Sequence, residues 1–108
     1  MENIELAQTP NQSMTVSRDD HVYEISFRAY GGITLVTVVK DDETVVRSLP
    51  CVIRGWFIPY EYQVGDGGNF RFEGNTEDYP VYSEFGSAVN LVYHTHEEYE
   101  ELKKTETE

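Results

Sequence analysis

Alanine and leucine are scarce in this 108-residue chain, with three and five copies, so a helical bundle would lack its best formers. Cysteine occurs once, at Cys51; no intrachain disulfide can close, which excludes a secreted, disulfide-stapled scaffold. Basic side chains are few: 8 Lys and Arg stand against 20 Asp and Glu, for a net charge of -12. Most of such a surface repels a phosphate backbone, which argues against direct nucleic-acid binding. No apolar run approaches the roughly 20 residues of a membrane span. Met1 to Glu5 carries two acids and no base, unlike the basic start of a signal peptide. The expectation is a soluble protein, without a membrane partner, made in a reducing compartment.

What the chain does contain is strand chemistry. Val, Thr, Tyr, Ile, Phe and Trp together supply 40 residues, and these fit a pleated, half-buried surface. The length suits one domain. Ile4 and Leu6 alternate as a short edge strand before a turn at Thr9 to Gln12. Met14 and Val16 resume the alternation up to Arg18, Asp19 and Asp20. Tyr23, Ile25, Phe27 and Ala29 then alternate with Glu24, Ser26 and Arg28, the pattern of a strand with one buried face. Gly31-Gly32 and Lys40 to Glu43 read as turns linking it to Ile33–Val39 and to Val45–Leu49, giving an antiparallel meander.

Beyond Pro50 come a dense aromatic stretch, Trp56 to Tyr62, interrupted by Pro59, and a glycine loop with Gly65, Gly67 and Gly68. A strand follows with Phe70 and Phe72 on one face and Arg71 on the other, then a polar loop to Pro80 and a last strand through Val89, Leu91 and Tyr93. Glu97 to Glu108 holds six Glu and two Lys. The expected fold is all-β: a single small antiparallel β-barrel or sandwich, residues 1–96, with a short acidic C-terminal tail, 97–108, partly helical or disordered.

Candidate chemistry is sparse. His94 and His96, spaced i, i+2, fall on one face of a strand and are weak candidates for a metal, but no second His or Cys cluster completes a set, so no metal site is expected. Cys51 sits in an apolar run and lacks a basic neighbour that would lower its pKa, which reads as a buried structural thiol. The glycine loop lacks the Lys and the following helix of a phosphate loop, and reads as a tight turn. No catalytic residue and no cofactor are expected. Trp56, Phe57, Tyr60, Tyr62, Tyr79, Tyr82, Phe85 and Tyr93 concentrate in the second half; most should be core, but a small body buries only part of so many rings, so whichever of Trp56, Phe57, Tyr60 and Tyr62 remain exposed are candidate partner-binding residues.

The order of these segments resembles the baseplate plug proteins of contractile-tailed bacteriophages, of the cyanophage type. The resemblance rests on Ile4-x-Leu6, Pro10-Asn11-Gln12, Met14-Thr15-Val16, Pro59-Tyr60-x-Tyr62, Gly68-Asn69-Phe70-x-Phe72, Asp78-Tyr79-Pro80-x-Tyr82, Phe85-Gly86 and Leu91-Val92-Tyr93. It implies a non-enzymatic virion protein in the tail baseplate, present in the host cytoplasm during assembly. Such a protein would plug the distal end of the tail tube and contact hub, spike and tail-tube proteins. The alternative from the residues themselves is a small-ligand or carbohydrate-binding β-module using surface aromatics as a stacking platform.

Overall fold

The computed structural model describes residues 2–59, 61–65, 67–74, 80, 82–86 and 89–107. Seven strands appear in chain order: β1 (Glu2–Ile4), β2 (Gln12–Arg18), β3 (His21–Tyr30), β4 (Ile33–Lys40), β5 (Glu43–Pro50), β6 (Asn69–Gly74) and β7 (Val89–His94). Two helices, α1 (Glu61–Val64) and α2 (His96–Thr107), and a 3-10 turn at Tyr82–Glu84 complete the described elements. β2-β3-β4-β5 form one antiparallel sheet and β1-β7-β6 a second. Among the described residues no strand pairing joins the two sheets into a closed barrel, so the architecture is a β-sandwich.

Three two-residue turns make the meander. Asp19-Asp20, Gly31-Gly32 and Asp41-Asp42 all lie at positive φ, between 50° and 85°, the conformation that matches hairpin twist to strand twist. Aspartate is among the few non-glycine residues that tolerate it. The second Asp pair is held further: Asp41 Oδ1 accepts the Val22 N–H at 2.9 Å, and its Oδ2 lies 2.5 Å from His21 Nδ1.

The alternation in β3 is realised as expected, with Tyr23, Ile25 and Phe27 buried and Glu24 and Arg28 exposed. These side chains meet the inner face of the other sheet through Tyr23–Phe70 and Phe27–Phe72 ring contacts, with centroids 5.1 and 5.4 Å apart. Val36, Val38, Phe57, Phe85, Val89, Leu91 and Tyr93 fill the rest of the interior.

Several boundaries differ from expectation. The first strand pairs over Glu2–Ile4 rather than Ile4–Leu6; Ile4 and Leu6 keep their half-buried alternation, but the chain leaves β7 after Ile4 to cross to the other sheet. The acidic tail, expected to be partly helical or disordered, forms a helix of 12 residues that begins at His96, and its Tyr99 is buried. That anchor offsets the weak intrinsic stability of a short charged helix. Arg71 does face away from Phe70 and Phe72, yet it is itself buried, because the outer face of β6 is covered. Gly67 and Gly68 allow close approach: a Cβ on Gly67 would stand 2.6 Å from Tyr23 Oη, and one on Gly68 would run into the His94 carbonyl. Residues 75–79 of the expected polar loop lie outside the described residues.

Candidate functional site

The segment after β5 determines which aromatic rings reach the surface. Cys51 donates its N–H to Thr34 O at 2.8 Å and is buried, and burial pushes its thiol pKa up to about 12. A thiol held protonated is a poor nucleophile. Ile53 bridges Phe72, while the N–H groups of Arg54 and Phe57 donate to Phe72 O and Phe70 O. Residues 53–57 therefore cover the open edge of β6. The buried Asn69 side chain extends the attachment: its Oδ1 accepts the Ile58 N–H at 3.0 Å and its Nδ2 donates to Ile58 O at 2.9 Å. Phe57 and Ile58 are drawn into the core by these bonds, and Pro59 is left exposed.

α1 then turns the chain back. Val64 is buried, and Lys40 Nζ donates to the carbonyls of Gln63 and Val64 at 3.3 and 2.8 Å. A cation at the carbonyl end of a helical turn satisfies groups that have no partner within it. Tyr62, on the opposite side from Val64, is 80% exposed. It borders a groove of about 310 Å³ lined by His21, Lys40, Asp41, Glu43, Val45 and Gln63. Of the four candidate partner-binding residues, Tyr62 is exposed, Trp56 half-buried and Phe57 in the core; Tyr60 lies outside the described residues.

Trp56 is the centre of a second cluster, on the outer face of β6 and β7. The Arg71 guanidinium carbon sits 4.5 Å from the Trp56 ring centroid, and the rings of His94 and Tyr99 meet the indole edge-on at 5.4 and 4.9 Å. Arg71 Nε donates to Glu73 Oε1 at 2.7 Å. His94 Nε2 lies 3.8 Å from the same carboxylate, beyond hydrogen-bond reach. Burial holds the His94 pKa below its ordinary value, and the neighbouring Arg71 charge adds to the effect. A cation–π contact and two edge-to-face pairs thus seat the first turn of α2 on the sheet.

The two histidines do not share a face. His94 ends β7 beneath Trp56, whereas His96 opens α2, its Nδ1 2.9 Å from Gly67 O. Among the described residues no three His, Cys, Asp or Glu side chains stand together as a metal set, and no helix is long and apolar enough to cross a membrane.

One further exposed ring lies outside the four candidates. Continuing the β3 alternation puts Tyr30 on the outer face; it is 70% exposed at the Gly31-Gly32 hairpin and lines a cleft of about 180 Å³ with Tyr82. Tyr30 and Tyr62 are the most exposed large hydrophobic side chains among the described residues.

The arrangement is that of a sandwich presenting isolated aromatic side chains beside grooves. No curated protein matches the chain. The family described as "Cyanophage baseplate Pam3 plug gp18" matches residues 1–97, which spans both sheets and the covering segment around Trp56. The chain therefore belongs to this cyanophage baseplate plug family, a family of structural baseplate proteins.

Proposed function

We propose that this baseplate structural protein closes the distal end of the tail tube and contacts hub, spike and tube proteins of the same virion, without catalysing a reaction. The observation that carries the contact surface is the 80% exposure of Tyr62 on a turn whose next two residues, Gln63 and Val64, are pinned by Lys40. A large ring held on a fixed backbone loses little entropy on docking, which is what an interface anchor requires. In this reading Trp56 and Phe57 hold the segment from beneath, and Tyr60 joins Tyr62 at the contact. The β body, 1–96, makes the plug and the acidic segment 97–108 is an appendage seated by Tyr99. The net charge of -12 keeps DNA in the tube from adhering to its stopper. Assembly starts from protein made in the host cytoplasm.

Co-expression with the hub and tube proteins of the same phage tests this, comparing the wild type with Tyr62→Ala and checking both by circular dichroism. The expected result is a stable complex, weakened about 30-fold by Tyr62→Ala if the ring is a central anchor worth ~2 kcal/mol. A folded Tyr62→Ala variant that binds normally contradicts the contact surface. If neither hub nor tube protein binds the wild type at micromolar concentration, the plug reading gives way to the ligand-binding module.

A further inference from the structure

A sheet edge is a row of unpaired N–H and C=O groups, and folded proteins blunt such edges with bulges, prolines, charges or covering segments. Among the described residues, three of the four sheet edges are blunted. β1 is three residues long. β6 is covered by residues 53–57. β5 is broken by two register shifts, carries Ser48 at φ 50° and ends in Pro50. The fourth, β2, runs for seven regular residues, with no proline, bulge, lysine or acid from Gln12 to Arg18.

The hydrogen-bond phase of this edge follows from the hairpin. A two-residue turn makes Arg18 and His21 the closing bonded pair, so Val16↔Tyr23 and Met14↔Ile25 are bonded in turn and the N–H and C=O groups of Ser13, Thr15 and Ser17 point outward. Among the described residues the only polar side-chain contact to these groups is Arg18 Nη1 donating to Ser17 O. All three side chains are exposed.

We propose that this edge pairs with the same edge of a second copy, antiparallel, about a two-fold axis at Thr15. The pairing is self-complementary. Thr15 meets Thr15 and Ser13 meets Ser17 on the outer face, while Met14 meets Val16 on the inner one, so neither copy turns an apolar side chain outward. The three outward residues are the ones that exchange bonds in this register. It also solves the charge problem of associating two chains of net charge -12: Arg18 lies opposite Gln12, and the Asp19-Asp20 turn of one copy lies opposite Pro10 and Asn11 of the other, which carry no charge. The dimer therefore strengthens with added salt, which screens the remaining acids.

Sedimentation velocity and amide hydrogen exchange from micromolar to millimolar protein test the pairing. The expected result is a concentration-dependent dimer in which the Ser13, Thr15 and Ser17 amides exchange at least tenfold more slowly than in dilute protein. Thr15→Pro removes one outward N–H without touching a bond to β3, and should abolish the dimer and the protection. Thr15→Asp, at an exposed position, places two carboxylates face to face and should do the same if the proline variant fails to fold. A wild type that stays monomeric at millimolar concentration overturns the proposal. So does a dimer that survives Thr15→Asp, or an edge that is protected only when a hub or tube protein is added.

Discussion

Asn69 holds Ile58 as a neighbouring strand would: its side-chain amide accepts from the Ile58 N–H and donates to the Ile58 carbonyl, at 3.0 and 2.9 Å. One buried side chain thereby replaces a backbone ladder and fixes where the chain leaves the sandwich for Pro59 and α1. Asn69→Ala leaves both Ile58 groups buried without a partner, each at a cost of ~1–3 kcal/mol. Denaturant unfolding should show a loss of about 2 to 5 kcal/mol. A loss below about 0.5 kcal/mol would mean that the segment is held by its ring packing alone.

Phe27 lies between the sheets, with ring contacts to Phe57, Phe72 and Phe85. Phe27→Ala should cost about 3 to 5 kcal/mol in the same measurement, the range for a fully buried phenylalanine. A value under 1 kcal/mol would place the core elsewhere.

The depressed pKa of His94 gives stability a sign with pH. Because burial, reinforced by the Arg71 charge, disfavours the imidazolium in the folded state, the unfolded chain takes up a proton first, as pH falls through its ordinary value of about 6.5. Stability is intact above that value and declines below it, through the folded pKa. Melting temperatures between pH 7.5 and 5 should therefore fall more steeply for the wild type than for His94→Gln. Parallel curves would remove His94 as the cause.

At the alkaline end, Tyr23 is pushed up to about 12, chiefly by burial, and Tyr93 is pushed up by burial and by its hydrogen bond to Asp19. The unfolded chain loses phenolic protons near pH 10, so stability declines from there upward. Ultraviolet titration should show these two phenols ionising only as the fold is lost. Full ionisation of all eight tyrosines by pH 11 with native circular dichroism retained would contradict their burial.

The meander was legible because its signals are local: period-two alternation from Tyr23 to Phe27 and turn residues at Asp19-Asp20, Gly31-Gly32 and Asp41-Asp42. The outer cluster was not, because it depends on a long-range event. Arg71 reads only as the residue on the face opposite Phe70 and Phe72 until Trp56 arrives over it from 15 positions away, with Tyr99, 28 positions from Arg71, packed on the indole. His94 and His96 read as a strand pair on spacing alone, although Thr95 between them opens a capping box with Glu98, the local signal that β7 ends at His94 and a helix begins at His96. Tyr62 could be named as a candidate but not told apart from Phe57, since their exposure is decided by Asn69 and Lys40, remote in sequence.

A cryo-electron microscopy reconstruction of the assembled tail tests the central claim most directly. The account requires density for this chain on the tail axis at the distal end of the tube, with Tyr62 against a hub, spike or tube protein. The chain found off the axis, or absent from a complete baseplate, would contradict it.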